Sequence, residues 1–280
     1  MQKTVKRGLV VAFCAFVLLF GALIPTLTVS ARADEVKRYQ DDSLISTYAV
    51  DSEDIYYTNR TLEDKTTVNN APTYHANTDL ENSCGPTAGG IVVGFYDRYF
   101  ENLIPDYTVY YTANGRYKPK DSVYIPALMQ NLYTLMRCNV DDVGVSESEC
   151  TSGLQTYVQQ HGYKLNYTSI KNSAGTFQMS TVQNAIDNNK VILLFCANAE
   201  LITVSYGDGY DRVVTMLIQN NHVMVAYGYC TYKYYNSSNV NFRTDTYLIV
   251  SSGYMSPSIG FVKVNDTSWL DNGYVVTISN

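Results

Sequence analysis

Apolar positions follow two regimes along the chain. From about residue 84 to 161 they recur at helical spacing, and from 163 onwards they alternate or run together in short blocks. The stretch opened by Cys84-Gly85-Pro86 predicts a helix to about Phe100, with Ile91, Phe95 and Tyr99 on one face. Asn102-Leu103-Ile104-Pro105 stops it. Proline has a preset φ and no N–H to lose, which suits a first helical turn, so Cys84 falls at or just before the helix N-terminus. The small residues Ala88, Gly89 and Gly90 would let another element approach closely. Residues 106–121, with Asn114-Gly115 and Pro119, read as a loop or irregular hairpin. Tyr124, Leu128, Leu132 and Leu135 predict a second helix to about Arg137. Ser146 and Glu149 have capping-box spacing before a third helix, which carries Leu154 and Val158 and exits at His161-Gly162.

The second half reads as strands: 163–170, 191–195, 201–206, 213–219, 222–229, 246–251, 260–264 and 274–278, with one short helix at 180–188. A turn at Gly207-Asp208-Gly209 would join two of them. Helices first and an antiparallel sheet second predict an α+β domain over residues 73–280. The acidic, polar residues 34–72 alternate only weakly, at 45–50 and 55–57. They read as a leader draped over the domain that supplies a strand, or alternatively as a pro-segment masking the site.

The N-terminus has the pattern of a secretory signal. Lys3, Lys6 and Arg7 precede an apolar run from Leu9 to Pro25, and Ala31-Arg32-Ala33 carries small residues at the cleavage positions. Cleavage after Ala33 leaves residues 34–280, secreted or held at the cell surface, with no stable membrane insertion. Losing Lys3, Lys6, Arg7 and Arg32 moves the net charge from −6 to about −10, which argues against nucleic acid and anionic lipid as partners. A monomer acting on a peptide or protein, cell-wall peptide included, is the expected arrangement.

Five cysteines follow the signal: 84, 138, 150, 196 and 230. In an oxidising compartment an odd number leaves one thiol over, and Cys84 is the candidate; the other four allow three pairings. There is no CxxC and only three histidines, so neither a metal site nor a cofactor is expected. At a helix N-terminus the partial positive charge and unpaired N–H groups favour thiolate over thiol, a setting for a nucleophile. Of the histidines, His161 sits at a helix exit, where a structural role is expected, and His75 in a polar approach where exposure is expected. His222 opens a strand 138 residues after Cys84, within the roughly 130–150 that separate cysteine from histidine in papain-type enzymes.

Cys84-Gly85-Pro86-Thr87-Ala88, the His222 strand with Gly228, and the helix at 180–188 before a buried strand resemble papain-fold family thirty-nine of the cysteine peptidases. That family includes the bacteriocin-leader processing peptidases and exported stand-alone relatives. The resemblance spans about residues 73–264. It implies a thiolate–imidazole pair of Cys84 and His222, and an orienter at the end of the next strand. The family usually has Asp or Asn there; this chain has Ser252, before Gly253-Tyr254, which brings no charge. The family's glutamine six residues before the cysteine, an oxyanion donor, is Thr78 here, and Asn82 is the candidate replacement. The function implied is an exported cysteine peptidase, or an amide-bond hydrolase or transferase. The rival is a catalytically weakened papain-fold surface or cell-wall binding module; a peptidoglycan hydrolase of another papain-like family is a third reading.

Overall fold

The computed structural model describes residues 37–39, 54–69, 71–77, 79–107, 110–111, 117–118, 121–207, 210–217, 221–255 and 258–280. The stretch expected to be a signal sequence, the alternation at 45–50, and the expected turn residues 208–209 lie outside them. Residues Lys37–Asn280 make one compact unit. No helix among the described residues is long and apolar enough to cross a membrane.

The strands are β1 (Arg38–Tyr39), β2 (Asp54–Tyr56), β3 (Asn59–Thr67), β4 (Tyr110–Tyr111), β5 (Tyr117–Lys118), β6 (Val145–Ser146) and β7 (Lys164–Ser169) in the first part of the chain. The second part carries β8 (Ile192–Ala197), β9 (Glu200–Gly207), β10 (Tyr210–Leu217), β11 (Asn221–Tyr235), β12 (Asn241–Ser251), β13 (Ile259–Lys263) and β14 (Leu270–Ser279). The α-helices are α1 (Cys84–Asp97), α2 (Asp121–Leu135), α3 (Glu147–Gln160) and α4 (Met179–Asp187). This is the mixed α+β architecture that the two periodicities predict: three of the four described helices end by residue 160, and most strands of the large antiparallel sheet follow it.

The large sheet runs β2-β10-β9-β13-β12-β11-β8-β14-β7, with β3 added beside the far half of β11. Strand β11 is its axis. Asn221–Ala226 pairs with β8, whereas Gly228–Tyr235 pairs with β3, and the register along β12 slips between Ala226 and Gly228. A Cβ at Gly228 would lie 2.8 Å from the Thr66 carbonyl, so the change of partner at this point requires glycine. The described residues within 34–72 therefore contribute three strands: β1 against β6, β2 against β10 and β3 against β11. The described part of the expected leader is thus woven into the fold, β2 and β3 in the large sheet and β1 in a separate two-stranded one, and position 73 does not mark an edge of the compact unit.

Helix α1 is buried along its whole length, with α2 and α3 on one side and β11 on another. Its small residues serve the close approach expected of them. A Cβ at Gly89 would meet Met136 at 2.8 Å and Leu132 at 3.3 Å. The helix stops at Asp97, three residues short of the expected Phe100, so Tyr99 lies outside it and is exposed while Ile91 and Phe95 are fully buried. The stop has a cause in Asp97, whose Oδ1 accepts the Ile104 N–H at 2.8 Å and closes the turn that follows. The capping box before α3 forms as predicted: Ser146 Oγ accepts the Glu149 N–H at 3.3 Å and Glu149 Oε2 accepts the Ser146 N–H at 3.0 Å. Gly162, at φ +87°, ends that helix.

Burial pushes the Asp97 carboxyl up to about 7, against the lowering effect of its bond from Ile104 and with a smaller push from Glu101. A carboxyl raised in the folded state stabilises fully below its unfolded value near 4, and that stability is lost as pH rises through 7. Asp97→Asn keeps the acceptor and removes the charge. Thermal unfolding should show it more stable than the parent at pH 8, by a few degrees, with the difference gone near pH 4. Equal behaviour at both pH values would show that Asp97 is not held in a desolvated site.

Candidate functional site

Cys84 is the first residue of α1 and is 1% exposed. Ser83, at the N-cap position, gives the helix no side-chain cap. Its hydroxyl and that of Thr87, one turn on, are buried without hydrogen-bond partners. The start of α1 thus combines the positive end of a helix dipole with two unsatisfied hydroxyls, both able to donate to a developing negative charge. Nothing in the sequence pattern points to Ser83 or Thr87, because both read as ordinary helix-start residues.

His222, near the start of β11, is 1% exposed, and its Nε2 lies 2.7 Å from the backbone carbonyl of Ser252. A carbonyl oxygen only accepts, so Nε2 carries the proton and Nδ1 presents the lone pair of a base. Burial lowers the imidazole to about 4, the bond to Ser252 opposing this, so the ring is neutral at pH 7. The Tyr254 ring stacks on it, centroids 4.6 Å apart and planes 8° from parallel. The Tyr254 hydroxyl is 3.3 Å from Nδ1, but it sits in a parallel plane, off the in-plane lone pair, so this contact is chiefly stacking.

The expectation for Ser252 is corrected in its atom. The hydroxyl does not orient the imidazole; the main-chain oxygen does. Ser252 Oγ instead accepts the Tyr254 N–H at 3.1 Å, a serine turn onto the backbone two residues ahead, and Gly253 takes φ +78° to close the corner. Ser252→Ala keeps the carbonyl, so the rate of any His222-dependent step should stay within about threefold of the parent. The measurable loss should be in stability, about 1 kcal/mol for the missing bond. A tenfold or larger fall in rate with unchanged stability would restore the hydroxyl to the orienting role.

Gly253 connects the two halves of the site. A Cβ there would lie 3.4 Å from Thr87 Cγ2 and 4.0 Å from His222 Nε2, so the first turn of α1 and the imidazole pack on one glycine. The helix turn that Cys84 opens and the His222 imidazole thus share one neighbour, Gly253. Asn82 does not serve as expected. Its φ is +54°, and its amide nitrogen donates to Asn139 Oδ1, while its carbonyl accepts from Cys138 Sγ at 3.0 Å. Asn82 tolerates the left-handed turn and ties the helix start to the α2–α3 connection. Thr78 lies outside the described residues.

His161 stacks on Tyr157 at the end of α3, and His75 is exposed, as their contexts predict. None of Cys84, Cys138, Cys150, Cys196 and Cys230 is joined in a disulfide. An odd count therefore does not single out Cys84; position does. Burial pushes the thiols of Cys150 and Cys196 well above their ordinary value, and those of Cys138 and Cys230 up to about 12 and about 11. Such thiols are poor nucleophiles. Among the described residues no cluster of His, Cys, Asp and Glu could hold a metal ion. No protein-family profile matches the chain, and no curated protein matches it.

Proposed function

We propose that this chain is an exported cysteine peptidase, or an amide-bond hydrolase or transferase, of papain-like architecture, with Cys84 as nucleophile and His222 as base. The observation that supports it best is the His222 corner. A neutral imidazole is fixed by a carbonyl at Nε2, leaving Nδ1 as proton acceptor, and packs with the first turn of the helix that Cys84 opens. The order of parts, cysteine at the start of a buried helix, histidine near the start of β11 and the orienting carbonyl just past the end of β12, supports the same reading.

In this scheme Cys84 Sγ attacks the carbonyl carbon of a peptide or amide as its proton passes to His222 Nδ1. The oxygen that becomes negative is met by the N–H groups at the start of α1, with Ser83 and Thr87 as nearby hydroxyls. His222 returns the proton to the departing amine, leaving a thioester on Cys84. Water, or an amine in a transferase, then releases the acyl group. A neutral orienter is compatible with this, since charge at that position is not obligatory in papain-type enzymes.

Incubation with mixed extracellular peptides and cell-wall muropeptides, read by mass spectrometry, tests the reading. New amide-bond cleavage or exchange should appear with the parent and vanish with Cys84→Ala. The near-complete burial of both Cys84 and His222 favours a second reading, a surface or cell-wall binding module on the same fold. Retention of peptide without any cleavage would select it.

A further inference from the structure

A cavity of about 390 Å³ lies between α2, the end of α3 and the turn that follows α1, and neither Cys84 nor His222 lines it. Helix α2 supplies two rows spaced four residues apart, Val123, Ala127 and Asn131 in one and Tyr124 and Leu128 in the other. Opposite them stand Tyr157 and His161 at the end of α3, and Ile104 with Pro105 from the turn. Val123 is 68% exposed, so the cavity meets solvent at its rim. Leu128, Tyr157 and Ile104 are buried and make its inner wall.

The walls are tied in place. The Ile104 N–H is held by Asp97 Oδ1 at 2.8 Å, the Tyr157 hydroxyl donates to the Leu103 carbonyl at 2.6 Å, and the Tyr124 ring meets that of Tyr107 edge-on at 5.7 Å. His161 stacks on Tyr157 with centroids 4.2 Å apart, and its Nδ1 lies 2.8 Å from the Tyr157 carbonyl. A carbonyl only accepts, so Nδ1 is the donor and the neutral ring keeps its lone pair on Nε2.

Size and lining both match small-molecule sites, which are mostly apolar and aromatic with a few placed polar groups. The lining also limits the occupant. No Asp, Glu, Lys or Arg borders the cavity, so a charged body would lose its hydration without a counter-charge. Tyr124, Tyr157 and His161 offer rings against which a planar body can stack or set its edge. Two groups on the lining can hydrogen-bond an occupant: His161 Nε2, which in the neutral ring only accepts, and the Asn131 amide.

We propose that this cavity is a binding site for a small, neutral aromatic molecule carrying one O–H or N–H donor, of the phenol or indole class, with the donor on His161 Nε2. The site is independent of the hydrolase reading and stands or falls without it.

Indole is the probe, and methyl-resolved NMR of the whole protein is the readout. Titration should move the signals of Ile104, Val123, Ala127 and Leu128 saturably, with half-saturation at or below about 1 mM, the order expected of so small a ligand. Val250 and Val262, on the sheet, should not move. Indene has the same shape without the N–H and should bind about tenfold more weakly. In His161→Phe, which keeps a ring on Tyr157, the two should bind alike. Ala127→Leu fills the cavity from an exposed position on α2; it should weaken indole binding by about tenfold or more and melt with the parent. The inference is overturned by the absence of saturable shifts, by shifts centred on other methyls, or by unchanged binding to Ala127→Leu. Equal binding of indole and indene by the parent would remove the His161 contact and with it the donor-bearing ligand. Shifts produced by a tyrosyl peptide but not by indole would replace the small-molecule site with a peptide-docking one. Should Ala127→Leu melt early, Val123→Trp fills the rim instead and is judged by the same criteria.

Discussion

Replacing His222 by alanine should slow acylation of Cys84 by an activated peptide ester by about a hundredfold or more, the usual range for loss of a general base. The pH dependence carries the sharper part of this expectation. Burial holds the imidazole at about 4 rather than 6.5, so the parent's rate should be level down to about pH 5 and fall as His222 takes up a proton below that. The variant should lack this inflection. Stability gives a second readout of the same group. Its folded value lies below the unfolded one, so its contribution is present above about 6.5 and is lost as pH falls through 4. Asp97 works in the opposite sense over the same interval, so the comparison is between parent and variant at each pH. The unfolding free energy of the parent, minus that of the variant, should shrink between pH 7 and 4. An inflection retained in the variant would assign the titration to another group.

Gly153→Ala should be the most damaging of the small changes, although it adds a single methyl. A Cβ at Gly153 on α3 would lie 2.8 Å from both the nitrogen and the Cα of Met136, and 2.6 Å from its Cγ. Backbone atoms cannot rotate away, so the end of α2 and helix α3 would have to separate. Overpacking of this kind costs about 1–3 kcal/mol, sometimes more, and a domain of this size loses about 2–4 °C per kcal/mol. Gly90→Ala on α1 is the control. Its nearest new contact is Met129 Cγ at 3.6 Å, ordinary van der Waals distance, and alanine is the better helix former. It should be neutral or slightly stabilising by differential calorimetry. Two similar melting temperatures would show that α2 and α3 do not approach through Gly153.

The parts of the fold that were legible in the sequence are those set by local chemistry. The capping box at Ser146 and Glu149, the glycine exit at Gly162 and the alternation of the late strands each mark an element through residues close in sequence. The end of α1 is not legible because it depends on the Ile104 N–H donating to the Asp97 carboxylate, seven residues back, which no periodicity records. The strands within residues 34–72 are faint in the sequence for a related reason. Strands β2 and β3 are completed by pairing with β10 and β11, more than 150 residues away, and their own alternation is weak. At the candidate site, Cys84 and His222 stood out because proline marks a helix start and a histidine opens a strand. Ser252 was legible as a position but not as an atom, since sequence offers a hydroxyl while the corner at Gly253 presents a carbonyl. Asn82 failed for the opposite reason. A suitable amide lay near the cysteine, and a long-range partner, Asn139, takes it.

The central claim is that the thiol of Cys84 is the group that carries an acyl intermediate formed with the help of His222. Treatment with a peptidyl acyloxymethyl ketone, followed by digestion and mass mapping of Cys84, Cys138, Cys150, Cys196 and Cys230, tests it most directly. A single adduct on Cys84 is expected, with little or none on Cys84 in the His222→Ala variant over the same time. An adduct on Cys138, Cys150, Cys196 or Cys230 in its place, or equal labelling of Cys84 with and without His222, would contradict it.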